Sequence, residues 1–499
     1  MASRSAEASL NPLWVKAPLV LLRFPGLLLS LAAGALLLAL AAASFPLFLS
    51  ATSSAALAAE IRSVSRFGAG LQITKTSLLV PTVPRYGRLV TPKASMAEFR
   101  QRERAVAEAT RGPHLDEVVA TYLAPPVIAY PVGRPRRSDP FRPIFRTGAY
   151  EHVVAVAGRE GAGVWMADLP ARRLGVRPGD RITIEAASGP GSITVGVDGI
   201  YKALFNEPPD PYWRSLSREI YPSGDSGAPP TFLLGDLEST VTIASAVRAE
   251  TVVQRFEAPL SGGNSITLDD ARRIEAVGKS IESQLLDERT RLGGAFCYQC
   301  FGGGPRPNPL INLVVSETER RVAPVEGPVR LLLVAGVLVA LAVVAAAGAF
   351  AVATRRVEAD FLFARGMSPL TMATKTVAES FIPAIVGAAA GLGVAWALVV
   401  LLGPPGTVDE NAFSLALRLA ALAVPVSIVL LGTVAAFAFA RRAEATGERL
   451  TVLARVPWEV GLIFLGLFFL GRLLTGGALV RATDTGITRP SVYLLLFPI

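Results

Sequence analysis

The sequence predicts an α-helical membrane protein with a large α/β extracytoplasmic domain inserted between its first and second transmembrane helices (TM1 and TM2). The chain has 499 residues, 51% of them hydrophobic, which is more apolar than a typical soluble domain. The apolar residues are concentrated in long runs. Between the first two runs, residues 51–328 have mixed composition and no stretch long enough to cross a bilayer.

A hydrocarbon core of about 30 Å requires about 20 apolar residues in each spanning helix. The runs that satisfy this length are 25–50 (TM1), 329–353 (TM2), 378–402 (TM3) and 413–440 (TM4). A fifth run, 458–475 (TM5), is shorter and contains Arg472. After an external loop at 476–489, residues 490–499 begin another apolar run in which the sequence stops, so we expect a truncated TM6.

The N-terminal segment, residues 1–24, contains Arg4, Lys16 and Arg23 and is predicted to be cytoplasmic. The apolar run after it has about 25 residues, against about 7–15 in the apolar region of a signal peptide. We therefore predict an uncleaved anchor. A signal peptide is the alternative, because the small residues at 51–59 resemble a cleavage site.

The inserted domain, residues 51–328, is predicted to mix strands and helices. Alternation and β-branched residues predict strands at Leu71–Leu79, Val153–Ala157, Arg181–Glu185, Ile193–Tyr201 and Thr231–Leu234. Helical spacing of apolar residues predicts helices at Met96–Thr110 and Leu268–Leu292. Pro131–Pro143, rich in proline and arginine, is expected to be an exposed loop.

The arginines predict the orientation of the spans, because Lys and Arg near membrane ends mark the cytoplasmic side. Arginine pairs follow TM2 (355–356) and TM4 (441–442), whereas the 403–412 link carries acids and no basic residue. The segments 354–377 and 441–457 are therefore predicted inside, and the 403–412 loop and the large domain outside. The net charge of +9 agrees with this bias and not with a nucleic-acid site, since no basic run is interleaved with aromatic residues.

The charges within the spans lie near their ends, at Arg330, Glu379 and Arg418. This placement argues against an ion-coupled carrier, which needs an ionisable group deep in the membrane. Gly387 and Gly391 in TM3 form a GxxxG pair that is expected to pack against another helix. A chance match in a helix rich in glycine and alanine is the alternative.

We find no sequence signature of catalysis. The chain contains no GxxxxGK[ST] phosphate loop and no HExxH, GxSxG or SxxK motif. We therefore predict no catalytic residue, no cofactor and no metal site. Cys297 and Cys300 form a single CxxC, for which an extracytoplasmic disulfide loop is favoured over a redox site.

Two stretches resemble the FtsX-like permease family of ABC transporters, which includes MacB and the lipoprotein-release permeases. The first, 164–201, has a Leu-Gly turn, a Gly-Asp turn at Gly179 and Asp180, and a strand ending in Gly-Ile. The second joins TM2 to TM3, with charged residues, a short helix, an Ala-x-Gly-x-Ser turn at 364–368 and a long helix of small residues. The continuation beyond TM4 resembles the long, duplicated members of the family.

The resemblance implies a non-enzymatic permease subunit that a separate cytoplasmic ATPase drives. The residues it implies as a coupling helix for that ATPase are Phe361, Leu362, Phe363, Arg365, Gly366, Met367 and Ser368. Alternatively, Phe361, Leu362 and Phe363 lie on the membrane surface. The expected partners are the ATPase, membrane lipid, and a second permease copy or the missing second half of this chain.

The expected location is the plasma membrane of a bacterium, with the N-terminus inside. The resemblance implies that the ATPase drives a motion of the permease. Members of the family use this motion to export or extract lipids, lipoproteins or peptides, or to regulate a wall hydrolase. An ATP-independent receptor or scaffold would share this topology and is the alternative function. It would differ in having no ATPase partner.

Overall fold

The computed structural model describes most of the chain. The described residues are 24–79, 91–112, 114–159, 161, 163–187, 191–221, 229–262, 265–296, 304–355, 357–358, 361, 369–444, 479–481 and 488–490. They form two compact units, which are described separately. The membrane unit comprises residues 1–56 and 318–499, and the α/β unit comprises residues 57–317.

The helices, in chain order, are α1 (Pro25–Gly68), α2 (Pro92–Ala109), α3 (Asp168–Leu174), α4 (Ser217–Ile220), α5 (Leu237–Ala246), α6 (Leu268–Leu286), α7 (Arg291–Phe296), α8 (Leu310–Thr354), α9 (Pro369–Leu402) and α10 (Glu410–Glu444). The strands are β1 (Leu71–Leu78), β2 (Val119–Leu123), β3 (Val127–Pro131), β4 (Asp139–Arg146), β5 (Ala155–Gly158), β6 (Val164–Ala167), β7 (Arg181–Ala186), β8 (Ser192–Tyr201), β9 (Thr231–Leu234), β10 (Thr251–Ala258), β11 (Arg306–Pro309), β12 (Leu479–Arg481) and β13 (Thr488–Pro490).

Four of the described helices are long and apolar enough to cross a membrane. They are α1, α8, the Ala373–Leu402 part of α9 and the Glu410–Ala438 part of α10. Together with the α/β unit between α1 and α8, they confirm the predicted fold class. The boundaries between the units fall at residues 56/57 and 317/318. The chain therefore passes from one unit to the other within α1 and α8, not within loops.

The membrane unit is packed around α1. Leu27 and Leu31 of α1 contact Val344 of α8 and Leu431 of α10 in one buried cluster. Further along α1, a second cluster is lined largely by alanine from all four helices: Leu38, Ala39, Ala340, Ala388, Ala420 and Ala423. Small side chains let helix backbones approach closely, which compensates for the absence of a hydrophobic driving force between helices in lipid.

The α/β unit is built on one sheet of eleven strands among the described residues. Strands β4, β3, β7, β8, β6 and β9 pair in sequence, and β9 pairs back with β4, so this part closes into a circuit. From β4, the sheet extends through β2, β10 and β1 to β11. Helix α2 covers this extension, with Phe99 packed between Tyr122 of β2 and Phe256 of β10.

The structure corrects two of the local predictions. The expected loop Pro131–Pro143 was wrong in its second half, because β4 begins at Asp139 and contains two prolines. Proline lacks the N–H group but keeps its carbonyl, and Pro143 uses that carbonyl to accept a hydrogen bond from Ala124 N (3.0 Å). The helix expected at Leu268–Leu292 ends at Leu286, and a turn separates it from α7.

The predicted strands at 71–79, 153–157, 181–185, 193–201 and 231–234 all occur, with ends shifted by at most two residues. The sequence patterns did not predict β2, β3, β6, β10 or β11. β2 and β6 are buried on both faces, so the two-residue period is absent from them. β3 and β11 are short, and β10 does not alternate apolar with polar residues.

The glycine turns of the 164–201 stretch adopt backbone conformations that favour glycine. Gly175 ends α3 with φ of 69°, and Gly179 has φ of 96°. We expect Gly175→Ala and Gly179→Ala each to lower the free energy of unfolding by about 1–2 kcal/mol, since other residues are strained at positive φ. Gly196→Ala in β8 is the matched control, because only Asp198 lies near its added Cβ, at 3.7 Å. Thermal unfolding of the three variants checks this, and equal shifts would contradict it.

Candidate functional site

The segment 361–368, between α8 and α9, carries all seven residues predicted to couple to an ATPase. Leu362, Phe363, Arg365, Gly366, Met367 and Ser368 lie outside the described residues, as do Cys297 and Cys300. Phe361 is described, and 68% of its surface is exposed. An exposed phenylalanine fits a contact with either a partner or the membrane surface.

Charged residues on both sides of this segment form a compact group, which we call the charge cluster: Arg355, Glu358, Lys375 and Glu379. Arg355 and Glu358 follow the end of α8, and Lys375 and Glu379 lie in the first turns of α9. The Lys375 ammonium lies 2.5 Å from Glu358 Oε1 and 3.8 Å from Glu379 Oε1. Arg355 forms an ion pair with Glu379 and approaches Glu358 Oε2 at 3.5 Å. The cluster therefore ties the end of α8 to the beginning of α9.

The charge cluster is buried on one side. The side chain of Glu379 is only 5% exposed and that of Arg355 14% exposed, whereas Glu358 is 41% exposed. The two acids and two bases cancel in charge, which lowers the cost of burying them. Arg355 also lies over the ring of Phe24, 5.2 Å from its centroid, at the residue before α1. The cluster thus involves three of the four membrane helices or their ends.

The Glu358 carboxyl has a pKa below its ordinary value. Burial opposes its ionisation, but the hydrogen bond from Lys375 and the positive charges of Arg355 and Lys375 outweigh that cost. A carboxyl with a lowered pKa stabilises the folded state above the pKa of the unfolded chain, and this contribution disappears as pH falls through the folded pKa. At neutral pH the Glu358 ion pairs are therefore fully formed.

The hydrogen bonds of the cluster are incomplete. Among the described residues, Arg355 Nε and Nη2 and Glu379 Oε1 are buried without a hydrogen-bond partner. A partly satisfied polar network in a low-dielectric setting is costly, and its members gain energy from rearrangement or from new partners.

No sequence pattern predicted this cluster as a site. The sequence predicts Glu379 at the end of a span, and the structure buries it against Arg355. The spacing carried a partial signal: Arg355 and Glu358 are three residues apart, and Lys375 and Glu379 are four apart, so each pair shares a helix face. The contact between the two pairs depends on the fold and could not be derived from spacing.

The GxxxG pair lies where α9 crosses α1. A Cβ added at Gly387 would overlap the carbonyl oxygen of Ala32, and one added at Gly391 would overlap that of Leu36. The backbones of the two helices therefore meet at these glycines. Gly393, on another face of the same helix, has no atom within 4 Å of such a Cβ.

A family model described as "FtsX-like permease C-terminal" matches residues 330–445. A crystallised domain of a candidate permease from Porphyromonas gingivalis is similar over 45% of this chain and 87% of its own, at 13% identity and a TM-score of 0.24. No curated protein matches the sequence.

The matched region contains α9, α10, most of the apolar part of α8 and all four residues of the charge cluster. It agrees with the resemblance noted in the segment between TM2 and TM3. Permeases of this family are non-enzymatic membrane subunits of ABC transporters. Residues 330–445 of this integral membrane protein match the model of the FtsX-like permease C-terminal family.

Proposed function

We propose that this chain is a permease subunit that passes motion from a separate cytoplasmic ATPase to its α/β unit. The observation that carries the proposal is the charge cluster, which joins α8 and α9 on either side of the segment 361–368. An ATPase bound to that segment would pull or push on both helices at once. The cluster would keep their ends together while this force acts.

The helix connections support an outward path for the motion. Helices α1 and α8 both enter the α/β unit without an intervening loop. A helix passes displacement along its axis where successive turns are hydrogen-bonded, as in residues 329–354 of α8, which follow its two prolines at 324 and 328. Displacement of α8 at Arg355 would move its apolar part, and α1 would follow through its packing against α8 and α9 in the membrane unit. Work on a lipid, lipoprotein or peptide, or on a wall hydrolase, would occur at the α/β unit.

The proposed orientation places the N-terminus and the 354–377 segment on the cytoplasmic side of a bacterial plasma membrane. The basic residues that follow TM2 and TM4 support this. Membrane lipid is a proposed partner. An apolar cavity of about 470 Å³ opens between α1, α8 and α9, and Phe45, Leu332 and Leu398 contribute to its lining. A second permease copy is the remaining proposed partner.

Two substitutions in the coupling segment test the proposal. We expect Gly366→Pro and Phe363→Asp to abolish stimulation of the partner ATPase, because one blocks a turn and the other places a charge in an apolar contact. Membrane insertion should be unchanged. The measurement is ATP hydrolysis by the complex reconstituted in nanodiscs, together with co-purification of a nucleotide-binding partner. Val132→Asp, at an exposed apolar residue of the α/β unit, is the control.

The results distinguish a permease subunit driven by an ATPase from an ATP-independent receptor or scaffold. Loss of stimulation in both variants, with Val132→Asp unaffected, is the expected outcome. Stimulation that survives both changes would show that the segment is not the coupling site. Purification of an intact protein with no nucleotide-binding partner, under conditions that preserve other complexes, would favour an ATP-independent receptor or scaffold.

A further inference from the structure

The α/β unit contains a second concave site far along the chain from the charge cluster. A cavity of about 250 Å³ lies beside the 3₁₀ helix Pro211–Leu216. The lining groups that matter for its chemistry are Glu151, His152, Glu207, Asp210, Trp213 and Tyr221. Three carboxylates and two aromatic rings therefore face one space, and no residue that has been assigned a role above contributes to it.

The geometry fixes the orientation of the cavity walls. His152 stacks on Tyr212 with ring centroids 3.9 Å apart, and its Nδ1 lies 2.9 Å from Asp210 Oδ2. Asp210 Oδ1 accepts a hydrogen bond from the Tyr212 backbone N–H (2.8 Å). The Trp213 indole N–H donates to the His152 carbonyl oxygen (2.8 Å), which holds this largely buried ring in the cavity wall.

The walls carry more negative than positive charge. Glu207 is paired with Lys202, and Asp210 is hydrogen-bonded to His152. No cation among the described residues pairs with Glu151, which is exposed at the cavity. Burial and the nearby Asp210 charge raise the pKa of Tyr221, so this ring stays neutral. The cavity therefore repels anions and attracts cations.

The cavity is suited to an organic cation. Among the described residues, no group of three or more His, Cys, Asp or Glu side chains is placed to hold a metal ion. The carboxylates are spread around a space large enough for an alkyl ammonium or guanidinium group. The phenol ring of Tyr221 in the wall adds attraction for a cation that lies over its face, worth about 0.5–1 kcal/mol.

We propose that this cavity binds an alkyl ammonium or guanidinium group, supplied either by a basic side chain of an extended peptide or by a free amine. Strand β5 begins directly after the lining residues Val153 and Val154, and all four of its residues are exposed. Its described pairing is with β8. An extended peptide could pair along β5 and place a basic side chain in the cavity, as in β-strand addition.

The first test compares two matched probes on the full-length protein in nanodiscs. Nα-acetyl-lysine methylamide carries the ammonium group, and Nα-acetyl-norleucine methylamide has an uncharged side chain of similar length. Saturation-transfer NMR and titration should show the lysine probe binding at least about tenfold more tightly, equivalent to 1.4 kcal/mol. Equal affinity for the two probes, or no binding of the lysine probe, would overturn the proposal.

Variants locate the binding. Glu151→Gln should lower the affinity for the lysine probe by about two- to fivefold, which is the range for one exposed charge pair. The double variant Glu151→Gln/Glu207→Gln should lower this affinity further. Glu282→Gln, an exposed acid on α6 outside the cavity, is the control. Because Glu151 is exposed, its substitution should leave thermal unfolding unchanged. Unchanged binding in both cavity variants would overturn the assignment to this cavity.

A third probe distinguishes the two sources of the cation. The acetylated pentapeptide Val-Thr-Lys-Thr-Val, as its C-terminal amide, can form backbone hydrogen bonds along β5. Binding at least about tenfold tighter than the lysine probe identifies an extended protein segment as the ligand class. Equal binding of the two identifies a free amine. For either result, Glu151→Gln must still lower the affinity for the probe that binds. If the substitution had no effect on that affinity, the proposal would be contradicted.

Discussion

Replacing Glu379 by glutamine should destabilise the membrane unit by about 3–5 kcal/mol, because it leaves the buried Arg355 guanidinium without its carboxylate. The side chains of Glu379 and Arg355 are 5% and 14% exposed, so water cannot hydrate the Arg355 guanidinium after its carboxylate partner is lost. Arg355→Gln should lower the free energy of unfolding by a similar amount, because it leaves the buried Glu379 carboxylate without the Arg355 guanidinium. The measurement is the free energy of unfolding in mixed detergent micelles. ATPase stimulation in the reconstituted complex should fall in parallel.

An exposed ion pair in the same unit provides the control for Glu379. Glu326 and Arg330 lie one turn apart on α8, with their side chains 43% and 64% exposed and their charged atoms 2.7 Å apart. Glu326→Gln should cost at most about 1 kcal/mol, since water screens exposed pairs. The double variant Arg355→Gln/Glu379→Gln should recover part of the loss. Equal effects of Glu379→Gln and Glu326→Gln would show that the charge cluster does not hold the helices together.

Gly387→Leu should separate α9 from α1 and lower stability by about 3 kcal/mol, the upper part of the range for overpacked sites. The added Cβ alone would overlap the Ala32 carbonyl oxygen, which is backbone and cannot rotate away. The two helices must therefore move apart along their contact. A lower midpoint of thermal unfolding in detergent measures this, and ATPase stimulation should fall as well.

Gly393→Leu is the matched control on the same helix, six residues further along. No atom lies within 4 Å of its added Cβ, so the new side chain has free space. Since leucine favours a helix over glycine by about 0.8 kcal/mol, this variant should be neutral or slightly stabilised. If both substitutions lowered the unfolding midpoint equally, the loss would reflect the longer side chain in general and not the crossing with α1.

The fold class followed from the sequence because membrane spans have a strong and local signal. A bilayer requires about 20 apolar residues in succession, and four such runs were present before any contact was known. Strands such as β8 also followed, since alternation is a local pattern. Strands such as β2 and β6 did not, because they are buried on both faces and lose the alternation. Proline in β4 further concealed a strand behind residues that are typical of loops.

The candidate coupling segment was found by its resemblance to a family, and the charge cluster was found by the structure. The sequence determined the spans, the inserted domain and the positions of glycines and charges along each helix, because each depends on neighbours within a few residues. Only the tertiary structure decided that Gly387 meets Ala32, that Arg355 meets Glu379, and that Glu151, Glu207 and Asp210 face one cavity. These contacts join residues from different elements, and their energies depend on burial and distance, which local sequence does not encode.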